Sequence, residues 1–74
     1  SMSTDSIRTN IHFKIGESIR EMESLIAQYR NDPSDTVTLN WIGGHAEYIA
    51  GLFADERKLE STVKSLDKLN VKHG

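Results

Sequence analysis

Ala46–Asn70, AEYIAGLFADERKLESTVKSLDKLN, is the stretch that decides the fold. Leu52, Leu59 and Leu66 recur every seven residues, and Ile49 and Val63 stand three residues ahead of the first and last leucine. That is the spacing of a helix burying one narrow stripe against another helix. Glu56 falls in the same register, where an apolar residue is expected; a slight rotation that carries its carboxylate to water is the favoured reading. Glu60 and Lys64 form an acid-then-base pair one turn apart. Lys68, Lys72 and His73 put positive charge at the C-terminal end, where it opposes the helix dipole.

A matching stripe lies upstream. Ile7, Ile11 and Ile15 recur every four residues, and Ile15, Ile19, Met22, Ile26 and Tyr29 then alternate four and three. The polar cluster Ser3-Thr4-Asp5-Ser6 is expected to cap this helix, and Gly16 to bend or fray it. Between the two stripes, Asn31-Asp32-Pro33-Ser34-Asp35 holds the only proline, and proline disfavours helical geometry at the residue before it. Asp35–Asn40 is rich in β-branched residues and is expected to form a connection, with the N-terminal turn of the next helix, capped by Ser34 or Asp35, as the alternative. Val37, Leu39, Trp41 and Ile42 would plug the end of the helical pair. Gly43-Gly44 leaves the start of the second helix open.

The expected fold is therefore all-α: an antiparallel hairpin of a helix over about residues 5–30 and another over about 45–70. The whole chain reads as one small domain, with Ser1 a remnant of tag cleavage. Each stripe is wider than a two-helix contact requires, since Leu25 and Ile11 flank one and Ala46 and Phe53 the other. A chain of 74 residues builds only a modest core, so dimerisation into a four-helix bundle is expected. A three-helix fold with 37–44 as a short middle helix is the competing architecture. The core of hairpin or dimer is assigned to Ile15, Ile19, Met22, Ile26, Tyr29, Ile49, Leu52, Leu59, Val63 and Leu66.

Composition narrows the chemistry. There is no cysteine, which excludes disulfides, thiolate metal sites and cysteine nucleophiles. His12, His45 and His73 show no helical metal-clamp spacing, and no Glu-x-x-His element is present. No serine sits in a nucleophile elbow, and Gly43-Gly44 lacks the Gly-Lys-Ser/Thr ending of a phosphate loop. Asp55, Glu56 and Glu60 read as a solvated acidic face. The expectation is a non-enzyme with no metal and no cofactor.

Nine basic against eleven acidic residues give a net charge of −2, which does not indicate a nucleic-acid partner. A helix-turn-helix over Asn40–Phe53 would present Glu47 and Asp55 where base-reading donors are needed, so a DNA-associated regulator stands only as an alternative. Apolar runs are far too short for a membrane span, and the first residues lack a signal-peptide core, so a cytoplasmic protein is expected.

What remains is a homodimeric protein-interaction module: an adaptor, inhibitor or regulator of the kind phages and plasmids encode against host proteins. Its contact residues are taken as Trp41, His45, Tyr48, Phe53 and Arg57, because aromatic residues and arginine dominate interface hot spots. Trp41-Ile42-Gly43 also resembles the Trp-x-Gly turn of the WXG100 proteins, small helical hairpins exported by type VII secretion. That resemblance implies a chain reversal at Trp41 and a role as a secretion partner. The chain departs from the pattern at Pro33, which falls where helix should lead into the turn, and carries no Tyr-x-x-x-Asp/Glu signal after the second helix.

Overall fold

The computed structural model describes residues 2–73, with side chains from Ser3 to Asn70. Ser1, expected to be a tag remnant, and the side chains of Lys72 and His73 lie outside the described residues. Two helices, α1 (Met2–Asn31) and α2 (Thr36–His73), pack against each other as an all-α antiparallel hairpin. Among the described residues there is no strand. The molecule is a rod of 60 × 16 × 12 Å with a radius of gyration of 17.7 Å; a compact chain of this length would have one of about 11 Å.

The reversal occupies only Asp32–Asp35. Asp32 accepts two hydrogen bonds on Oδ1, from the Ser34 N–H at 3.2 Å and the Ser34 hydroxyl at 2.6 Å, and the Asp35 N–H donates to the Asp32 carbonyl at 3.0 Å. Pro33 ends α1 because it disfavours helical geometry at Asp32. Asp35 then caps α2: its carboxylate accepts from the Thr38 N–H at 2.9 Å and the Thr38 hydroxyl at 2.7 Å. Those two bonds, backbone first, hold the Asp35 carboxyl below the usual carboxylate range; partial burial opposes them and the Val37 N–H assists.

A depressed folded-state pKa stabilises the fold above the unfolded value, about 3.9 for aspartate, and that contribution fades as pH falls through the folded value. Asp35→Ala is therefore expected to lower the thermal midpoint at neutral pH. The gap between wild type and Asp35→Asn should close on acidification. A gap that stays constant from about pH 6 to about pH 2 would show that the charge contributes nothing to the cap.

This cap corrects the expected start of α2. Asp35–Asn40 is not a connection but the first turn of a helix running unbroken through Gly43-Gly44, so a short middle helix does not exist either. A side chain–backbone cap and 38 residues of continuous helix outweigh two glycines, each of which costs roughly 1 kcal/mol relative to alanine. α1 likewise passes Gly16 without a break. It begins at Met2, which places Asp5 in the first turn rather than ahead of the helix.

The seam between the helices is apolar with polar residues interspersed along it. On α2 it follows Thr38, Ile42, His45, Ile49, Leu52, Glu56, Leu59 and Val63, all buried or half-buried in alternating steps of four and three. On α1 it follows Arg8, Ile11, Ile15, Ser18, Met22, Ile26 and Tyr29, with Leu25 alongside. Among the described residues only Ile11, Ile15 and Leu52 are buried apolar residues, and Ile49 packs against them. No large side chain is fully enclosed among the described residues.

Two assigned core residues lie outside this seam. Ile19 is 40% exposed, and Ser18, 5% exposed, takes its place. The seam set by Arg8, Ile11 and Ile15 steps next to residue 18, whose hydroxyl meets His45 across the interface. Leu66 is 55% exposed. The Arg8–Glu60 and His12–Glu56 pairs fix the register, and continuing it brings Leu66 level with Met2, where α1 begins. The leucine periodicity outruns its partner helix.

Candidate interaction surface

The five contact residues inferred from sequence do not form one site. Trp41, His45 and Tyr48 lie together on α2, where they line an open cleft of about 530 Å³ with Val37, Asn40 and Gly44. Trp41 and Tyr48 are 62% and 50% exposed, two turns apart, and Gly44 sits between them with nothing near the position a side chain would take. Positions 41, 44, 45 and 48 are i, i+3, i+4 and i+7, the four residues that frame a hole for a knob from a neighbouring helix. Gly44 deepens that hole. The surface is continuous with Val37, 65% exposed one turn earlier.

His45 belongs to both faces. It is half-buried, its Nδ1 lies 2.7 Å from the Ser18 hydroxyl oxygen, and its ring also borders the cleft. A serine–histidine contact invites a nucleophilic reading, but Ser18 is 5% exposed inside the seam. Nucleophile attack needs an open approach to the hydroxyl, and here that approach is filled by the partner helix. The pair is a polar cross-link between helices.

Phe53 and Arg57 stand apart from the cleft. Phe53 is exposed with Leu39 and Ala46 at seven-residue spacing, on a different edge of α2. Arg57 borders a charged trough with Glu56, Glu60, Lys64 and Lys68. Glu56 is corrected as well: it does not rotate away to water but stays half-buried in the seam, paired with the His12 ring across the interface. Arg8 pairs with Glu60 at 2.9 Å one turn further on. Sequence reading missed these pairs because Arg8 and His12 each follow an isoleucine of the assumed stripe, Ile7 and Ile11, and it is Arg8 rather than the exposed Ile7 that takes the seam position.

Other expectations meet the geometry directly. Asn40–Phe53 is one uninterrupted helix, so no helix-turn-helix element forms there. Trp41-Ile42-Gly43 is helical too, and the reversal is made six or more residues earlier, so the motif does not act as the WXG100-type turn. Among the described residues, no group of three histidine, aspartate or glutamate side chains is placed to hold a metal. No described helix is long and apolar enough to cross a membrane. The chain matches no protein-family model, no curated protein and no solved structure.

Proposed function

We propose that this chain is a non-enzymatic, homodimeric protein-interaction module that acts by presenting exposed apolar faces of α2 to other helices, in the manner of an adaptor, inhibitor or regulator. The carrying observation is the distribution of apolar surface. Among the described residues three apolar side chains are buried, whereas Val37, Trp41 and Tyr48 stand 50% or more exposed on one stripe of α2 and Phe53 stands 43% exposed on another edge. A monomer rarely leaves a large contiguous apolar patch in water without a binding use for it, and aromatic residues dominate binding energy where such patches meet a partner. The distinct edge carrying Leu39, Ala46 and Phe53 gives the module a second face, so a dimer formed through one leaves the other for a different protein.

Light scattering tests the first half of this reading. At tens of micromolar the expected mass is twice the 8.3 kDa of one chain, and a clean monomer removes the homodimer. Pull-downs from the native host with wild type and Phe53→Ala test the second half. A protein retained by wild type and depleted at least fivefold on the variant is expected, and equal recovery would argue against the Phe53 edge.

A further inference from the structure

The glycines of α2 serve nothing inside the hairpin. Gly43, Gly44 and Gly51 are helical, have no positive φ, and have open space where a Cβ would sit. Neither a turn nor a close approach within the chain requires them. Gly44 and Gly51 share a stripe with the exposed aromatics: Val37, Trp41, Gly44, Tyr48, Gly51 and Asp55 step by four, three, four, three and four. That is a second heptad seam, offset by one residue from Thr38, Ile42, His45, Ile49, Leu52 and Glu56, the seam that α1 covers. Large and small residues alternate along its centre.

We propose, resting on the homodimer reading above, that this second seam is covered by the same seam of a second copy running antiparallel, centred at the level of Ala46. Trp41 then lies over the partner's Gly51, and Tyr48 over the partner's Gly44. Positions 41 and 51, like 44 and 48, are equally spaced about 46, so one two-fold axis satisfies both pairs at once. This is the self-complementarity that an isologous interface demands.

A parallel in-register pair fails on volume. It would set Trp41 on Trp41 and glycine on glycine, alternately overfilled and empty, whereas close-packed interfaces match large against small. At the ends of the antiparallel seam Val37 meets the level of Asp55, whose carboxylate is exposed and can stay hydrated. The surface area supports a second copy as the occupant. The hairpin exposes 5806 Å², while a compact monomer of its mass exposes about 4,600 Å². The excess exceeds the roughly 800 Å² per partner of a standard interface.

The test uses sedimentation equilibrium on the full chain and on Gly44→Leu/Gly51→Leu. Leucine is a better helix former than glycine and has room on the free hairpin, so the variant should keep or gain helicity by circular dichroism. Its dimer dissociation constant should rise at least tenfold, because both holes are filled. A wild-type dimer that the variant retains unchanged overturns the proposed seam and leaves the homodimer reading standing; a wild-type monomer overturns both. Register is tested by oxidising an equimolar mixture of Trp41→Cys and Gly51→Cys chains, since the protein has no cysteine of its own. The mixed disulfide should dominate. Homodisulfides of each variant without the mixed species overturn the antiparallel pairing.

Discussion

Leu52→Asp unfolds the hairpin, with the far-UV helical signal falling to that of a disordered chain at 25 °C. Among the described residues Leu52 is one of three buried apolar residues, and it closes the cluster with Ile11 and Ile15. Truncating a buried leucine to alanine costs about 2–5 kcal/mol, and an unpaired carboxylate in the same place costs more. A single core in a chain this small supplies about 3–5 kcal/mol in all. One substitution therefore consumes the whole margin. The control is Leu66→Asp, seven residues twice over from Leu52 and identical to it in heptad phase. Because Leu66 lies beyond the cover of α1, that variant should remain folded. If both unfold alike, α1 covers more of α2 than the Arg8–Glu60 and His12–Glu56 register allows.

The contrast between Leu52 and Leu66 also marks what periodicity can and cannot tell. Phase is local, and the seven-residue recurrence placed Ile49, Leu52, Leu59 and Val63 on one face correctly. Where the opposite helix ends is not local: it follows from the four-residue turn at Asp32–Asp35 and the ion pairs between the helices. Ile19 falls outside the hairpin seam for a related reason. Hydrophobicity selects it over Ser18, but the phase already set by Ile11 and Ile15 selects Ser18, and a serine is tolerated there because His45 meets its hydroxyl. The early start of α2 is legible in Asp35 as a capping residue, but the β-branched Thr36, Val37 and Thr38 fit an extended connection equally well, and only the Asp35–Thr38 bonds decide between the two. For the interaction surface, Trp41 and Tyr48 could be picked by residue type. The alternation with Gly44 and Gly51 needed the knowledge that these glycines have no task within the hairpin.

The polar layer in the middle of the seam should behave as a coupled pair. Ser18→Ala leaves the His45 Nδ1 without its partner in a half-buried place, and His45→Leu strands the Ser18 hydroxyl. An orphaned buried polar group costs about 1–3 kcal/mol, so each single variant should lose that much in urea denaturation. The double variant Ser18→Ala/His45→Leu removes both polar groups and nearly conserves volume. Its stability should return to within about 1 kcal/mol of wild type, giving a double-mutant coupling that cancels most of the two losses. Strictly additive losses would show that the 2.7 Å contact carries no coupling. The layer's benefit then has to lie in specificity. With Ser18 and His45 apolar, Ile15, Met22, Ile42, Ile49 and Leu52 form a seam in which either helix can turn about its own axis at little cost, whereas a polar pair is matched in only one rotation. The double variant should accordingly show broadened amide resonances around Ile15–Met22 and a shallower unfolding transition despite its restored midpoint. Sharp resonances and an unchanged slope would mean that the His12–Glu56 and Arg8–Glu60 pairs hold the register on their own.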